Sequence, residues 1–282
     1  MNPAYLLAVA ASVLFGSGDL GGGIASKRTN AMLVALVSGY GALIGMILLL
    51  PLVHGHATRA DLMWGALAGA FGAAGLALIY RSLALGPVII ASPTFCLIGL
   101  VVPAVFGVIV GQRPSAIAWG GVGLAIVAIP LLTLRPEGDQ RYTAAHVRKT
   151  VLVASLAGVL VGFFLISLAH VGRDAGLWPL IVARIVGIAL FLGALLATRG
   201  PLVPPRGARF LSFVVGFADV AGNIAYWRAV QTAPIALVAT LVSLAPATSV
   251  LLARPLLKER WTAAQFAGLI LALVAGVLIS RG

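Results

Sequence analysis

The chain has 282 residues, of which 61% are hydrophobic and only 9% charged, and its mean hydropathy is +1.10. A soluble domain carries about 25% charged residues, so a water-facing surface cannot be built and a soluble fold is excluded. The net charge of +12 does not indicate nucleic acid, because the basic residues sit in short connections between apolar runs, with no basic helix or aromatic-interleaved basic cluster.

The apolar runs are long and unbroken. That predicts helices, since a barrel strand would alternate polar and apolar over about 10 residues. A bilayer core needs about 20 residues per helix. Ten spans fit, at roughly 4–24, 31–53, 61–81, 88–110, 115–134, 149–171, 176–198, 208–229, 234–256 and 262–280.

The first run lacks the basic leader region of a cleavable signal and is expected to be a span. Gly16, Gly18, Gly21, Gly22 and Gly23 crowd its end. No strand precedes them, so GSGDLGGG reads as close packing or a hinge and not as a nucleotide fingerprint. Tyr40 falls mid-span on the second helix. The third carries a stripe of Gly65, Gly69, Gly72 and Gly75, which lets helices approach closely in lipid. Pro93 and Pro103 in the fourth span and Pro246 in the ninth can kink their helices and free carbonyls toward a cavity. The single cysteine, Cys96, is expected to be a packing residue. All five tryptophans fall near span ends, as an interfacial belt would place them.

The chain is one unit written twice. Gly69, Gly75, Arg81, Pro87, Arg113 and Gly121 reappear as Gly216, Gly222, Arg228, Pro234, Arg260 and Gly268, all at an offset of 147 residues. This divides the chain into a first five-helix repeat (1–134), a link (135–148) and a second repeat (149–282). Five is odd, so the second copy enters from the opposite side. The expected fold is an all-α integral membrane protein of ten transmembrane helices in two inverted five-helix repeats. Many secondary transporters are built so, with the site at the repeat interface near the midplane. The alternative is a larger bundle with no transport role. If the N-terminus were cytoplasmic, the loops on that side would hold five Lys and Arg and the opposite loops thirteen. The bias therefore puts both termini outside and the 135–149 loop in the cytoplasm.

Charges inside spans are functional candidates, because burying them is costly. Three are deep: Asp19, Arg184 and Asp219. Asp219, Asn223 and Tyr226 are spaced to share one helix face. An anion, an amide and a phenol there suit an amine, a polar ring or an amino acid. Two readings of Asp219 stand: it lines a substrate path, or it pairs with Arg184 and ties two helices together. A carboxylate inside a membrane can also exchange protons, so Asp219 or Asp19 is a candidate coupling site. Asp19, toward the end of its span, could instead reach headgroup water. Tyr80 and Trp227 are equivalent positions, each followed by arginine. They read as interface anchors or as a symmetric pair of gate aromatics. Low aromatic content, 7%, argues against an aromatic cage. The histidines are scattered at loops and span ends, and no metal cluster, nucleophile elbow, HExxH or P-loop occurs. Neither an enzyme nor a cofactor is expected.

The repeat, length and motifs resemble the drug/metabolite transporter superfamily, in its EamA-like ten-helix branch. The resemblance rests on Tyr80–Pro87 and Tyr226–Val230 at the end of each third helix. It rests also on a Gly-Glu-Arg-like link, read here as Gly111-Gln112-Arg113 and Lys258-Glu259-Arg260. Gln112 replaces the usual acid, so a salt bridge there is lost in the first copy. The resemblance implies a bacterial inner-membrane carrier working by alternating access, often an exporter of amino acids or other metabolites. It implies a central cavity ringed by helices one to four and six to nine, with Asp219, Asn223, Tyr226, Arg184, Tyr40 and Asp19 in reach. It also implies cytoplasmic termini, against the charge count. The expected partners are a small-molecule substrate, the bilayer and protons, with no nucleic acid, in a monomer or homodimer. A lipid-precursor flippase is the runner-up.

Overall fold

The computed structural model describes residues 3–85, 88–133, 143–200, 202–257 and 262–281. They form eleven α-helices: α1 (Pro3–Ser26), α2 (Ala31–Leu49), α3 (Arg59–Leu85), α4 (Val88–Ile109), α5 (Ala116–Thr133), α6 (Ala144–Ala169), α7 (Trp178–Ala197), α8 (Arg206–Val230), α9 (Ile235–Val242), α10 (Ala245–Leu257) and α11 (Ala263–Arg281). Among the described residues there is no strand. Helices α1, α2, α3, α6, α7 and α8 are each long and apolar enough to cross a membrane. The protein is a multi-pass, all-α membrane protein. The 135–142 part of the link, Gly86–Pro87 and Lys258–Trp261 lie outside the described residues.

Local chemistry sets the helix ends. The Asn30 side chain accepts from Met32 N at 2.8 Å and starts α2. Thr58 and Asp61 form a reciprocal box at the start of α3: Asp61 N donates to Thr58 Oγ1 at 3.2 Å, and Thr58 N donates back to Asp61 Oδ2 at 2.8 Å. Each such cap satisfies N–H groups that have no partner within the helix. Pro179 sits in the first turn of α7, where a missing N–H costs nothing.

The ninth predicted span is not one helix. It breaks at Ser243–Leu244, between α9 and α10. Pro246 offers no N–H, and its ring would meet the carbonyl of Val242, where α9 stops. By contrast α4 runs unbroken through Pro93 and Pro103.

The most extensive packing crosses between the halves. α1 lies along α8 and α3 along α6; α2 packs on α8 and α3 on α7; α4 packs on α6, and α1 on α9 and α10. α5 pairs with α11 away from these contacts. Glycines permit the closest crossings. A Cβ on Gly65 or Gly69 would strike the carbonyl oxygens of Pro179 and Ala183, and one on Gly216 would strike that of Ser38. The stripe on α3 thus seats α7 at Gly65 and Gly69 and faces α6 at Gly72 and Gly75. With no water-driven collapse inside lipid, such backbone contact is a main source of helix association. The interfacial reading of Trp227 is corrected: it is fully buried, and its indole N–H donates to Val171 O at 3.3 Å. Trp119 and Trp178 are exposed, as a belt requires.

Candidate functional site

A cavity of about 310 Å³ lies where α1, α2, α3, α4, α6, α7, α8 and the α9–α10 break converge. Its wall is mostly apolar and contains Gly69, Gly72, Leu76, Gly99 and Pro246, with four of the eleven phenylalanines: Phe15, Phe95, Phe164 and Phe191. The low overall aromatic content therefore hides a local concentration, which sequence counting missed. The broken span contributes Val242, Ser243, Ala245 and Pro246, so the proline break borders the cavity as irregular backbone in a membrane must.

The polar wall is small. Arg184 on α7 donates from Nη2 to Asp219 Oδ2 on α8, an ion pair whose side chains are 23% and 30% exposed. Asn223, one turn beyond Asp219, donates from Nδ2 to the Asp219 carbonyl at 2.8 Å. That bond leaves Asn223 Oδ1 buried without a partner, and Arg184 Nε is buried without one as well. Asp19 on α1 also borders the cavity, and its side chain is exposed. No described residue gives Asp19 a hydrogen bond or an ion pair. Asp19 and Asp219 line the same cavity.

The structure brings Asp19, Arg184, Asp219 and Asn223 together at one cavity. It places the other sequence candidates elsewhere. Tyr226 is fully buried, and its hydroxyl donates to Leu165 O on α6 at 2.9 Å. Tyr40 is 38% exposed and does not line the cavity. The shared-face argument fails for Tyr226 because it lies two turns, about 10 Å, along α8 from Asp219, where α6 and not the cavity meets that face.

Beyond Tyr226, the end of the bundle that carries the termini is tied by hydrogen bonds between its connections. The loop between α6 and α7 is its hub. Val171 O accepts from Trp227 Nε1 and, at 2.7 Å, from Gln231 Nε2. Arg173 Nη2 donates to Gln231 O at 2.7 Å, and Gly172 N donates to Asp61 Oδ1 at 2.7 Å. Across the loop, His56 N donates to Asp174 O at 2.8 Å. His170 stacks on Trp64 at 4.3 Å between ring centroids. At the other end of the bundle, among the described residues, the equivalent connection 27–30 is tied to α8 by Arg28 Nη1 donating to Gly207 O at 2.9 Å. Sequence reasoning passed over Asp61, Gln231 and the 170–177 loop, because none repeats at the 147-residue offset.

Residues 148–281 match the family model described as the EamA-like transporter family. That stretch, just under half of the chain, is similar to this family, which is part of the drug/metabolite transporter superfamily. The chain is accordingly a membrane transporter, which implies a bilayer and a small-molecule substrate. No curated protein matches it. Of 27 matching solved chains, one crystal structure, 18% identical, aligns with a TM-score of 0.78 over 100% of this chain and 97% of its own. That likeness concerns the fold alone.

In the transporter the departure at Gln112 acquires a role. Gln112 Oε1 accepts from Ile235 N at 2.9 Å, capping the start of α9 in the other half of the chain. This bond joins the two halves of the chain.

Proposed function

We propose that this EamA-like transporter carries a small amphipathic metabolite, amino-acid-like or related, by alternating access between two inverted repeats. It works as an exporter from the bacterial cytoplasm, driven by protons moving inward. Both termini are outside and the 135–149 link is cytoplasmic, as the Lys and Arg distribution favours.

The observation that carries this reading is the cavity between the halves, lined by an ion pair and by one carboxyl group without a partner among the described residues. A bundle that only filled space would have no reason to keep an unpaired acid there, since an uncompensated buried charge is costly. The reciprocal packing of α1 on α8 and α3 on α6 supports the inverted repeat. The hydrogen bonds that join the connections at the terminal face support a conformation closed on that side, one of an alternating pair. Asp19 is the better coupling candidate, because Asp219 is held by Arg184.

The test is flux in proteoliposomes of the purified protein. Radiolabelled amino acids and amines are loaded inside, and the pH difference is imposed in either direction. Efflux should accelerate when protons can run against the substrate, and Asp19→Asn should abolish that acceleration. Flux indifferent to the direction of the pH difference sinks the coupling. No flux of any compound under either gradient sinks the carrier reading itself.

A further inference from the structure

The cavity's charges do not cancel. Asp219 and Arg184 neutralise each other, and Asp19 remains. Its carboxyl group faces the cavity with no donor from any described residue, so on ionising it places one unanswered negative charge in a largely apolar wall. A charge in that setting is stabilised by whatever cation can enter.

The hydrogen-bonding inventory agrees. Asn223 is 4% exposed, and its Oδ1 is an acceptor with nothing to accept from. Its amide is not free to turn round, because Nδ2 is already committed to the Asp219 carbonyl at 2.8 Å. The groups left open on the acid side of the site are therefore acceptors: two carboxylate oxygens and one amide oxygen. An ammonium group has only donors to give. A carboxylate ligand would find only the remaining N–H groups of Arg184, on a guanidinium whose charge Asp219 already answers, and the hydroxyl of Ser243.

The apolar wall supplies the rest. Phe15 lies one helical turn before Asp19 on α1, so ring and carboxylate border the same part of the cavity. Phe95, Phe164 and Phe191 approach from α4, α6 and α7. Phenyl faces attract cations and pack against other rings. A volume of about 310 Å³ is at the small end of ligand pockets and suits one ring with a short arm.

We propose that the substrate is a small organic monocation, a primary or secondary ammonium on an apolar body of about one ring, held by Asp19 and Asn223 Oδ1, with Arg184–Asp219 as a fixed pair behind it. This rests on the transporter reading and narrows its substrate class. Asp19, and not Asp219, is then the residue that selects charge.

The test uses the intact detergent-purified protein and four probes sharing one ring: 2-phenylethylamine, its N-trimethyl derivative, 2-phenylethanol and phenylacetate. Binding is read by calorimetry and by the shift in thermal unfolding. The amine should bind most tightly. The trimethyl compound and the alcohol should each be weaker by roughly tenfold or more, since one loses the N–H donors and the other the charge. Phenylacetate should not bind. Asp19→Asn should weaken the amine by roughly ten- to a hundredfold. The wild-type ranking needs no variant, so the proposal stays testable if Asp19→Asn unfolds. Phenylacetate binding as tightly as the amine overturns it, as does an Asp19→Asn protein that folds and keeps full amine affinity. If none of the probes binds, the cation class fails. The proteoliposome panel then separates the readings: flux of an anionic or neutral metabolite leaves the carrier standing, and no flux at all removes both.

Discussion

Helices α3 and α8 hold the same place in the two copies, and they share a mechanical task while differing in chemistry. Gly69 on α3 brings a backbone against Ala183 O, and its counterpart Gly216 on α8 brings one against Ser38 O. Further along, α8 carries Asp219 and Asn223 where α3 carries Gly72 and Leu76, and all four line the cavity. The difference shows that packing and recognition are separable here. Close approach is demanded by geometry and recurs wherever the helix pair recurs. A buried ion pair is needed once. A second copy at the equivalent positions, Val37 opposite Gly72, would add two more charges to a small apolar space at a desolvation cost of several kcal/mol per ion.

The largest effect should come from breaking what the two helices share. Gly69→Leu and Gly216→Leu each force a side chain into a neighbouring carbonyl, at about 3 kcal/mol or more. Both variants should lose monodisperse protein on size-exclusion chromatography, and to similar extents. If one were tolerated while the other failed, the mechanical equivalence of α3 and α8 would be wrong.

Breaking what they do not share should cost less. Asp219→Ala strands Arg184 beside the cavity. The pair is about a quarter exposed, so the loss should be about 1–3 kcal/mol, below the range for a fully enclosed pair. The double variant Arg184→Met with Asp219→Ala removes both charges and should return to within about 1 kcal/mol of wild type. Denaturant unfolding of the four proteins gives the cycle. An additive result, with the double variant worst of all, would mean the two residues act on stability independently and the ion pair is not the unit.

How far the sequence foretold this depends on which force decided each feature. Spans were legible because burial in lipid demands length and apolarity, and nine of the ten runs appear as single helices. The break in the ninth was not placed, although Pro246 was visible. Pro103 looks the same in sequence and leaves α4 unbroken, and which proline breaks its helix depends on what neighbouring helices can re-satisfy. Asp19, Arg184, Asp219 and Asn223 were found because a polar group in a span stands out against its surroundings. Tyr226 and Trp227 were misjudged for the same reason in reverse: amphipathic rings suit a site, an interface or a packed core equally well, and only the partners Leu165 O and Val171 O decide. The phenylalanine lining was illegible because the four rings come from four helices and no spacing connects them.

The ends of α3 and α8 give the finest test of the comparison. Trp227 is fully buried on the closed face with its N–H on Val171 O, whereas the equivalent Tyr80 is half-buried, with no hydrogen bond from a described residue to its hydroxyl. Trp227→Phe keeps an aromatic ring and removes one donor. Val171 O still accepts from Gln231 Nε2 at 2.7 Å, so no acceptor is orphaned and the cost should be only about 0.5–1.5 kcal/mol. Tyr80→Phe deletes a hydroxyl without a partner and should change stability by less than about 0.5 kcal/mol. The two substitutions should then part company in transport. Loosening Trp227 weakens only the closed state in this arrangement, so Trp227→Phe should shift the balance toward opening of the terminal face. That shift is readable as faster labelling of a cysteine introduced at Ser243 by a membrane-impermeant thiol reagent added outside, in a Cys96→Ala background. Tyr80→Phe should leave that labelling rate unchanged. Equal acceleration in both would mean the two aromatics act alike, and the asymmetry between the faces would then be a property of this conformation and not of the residues that close it.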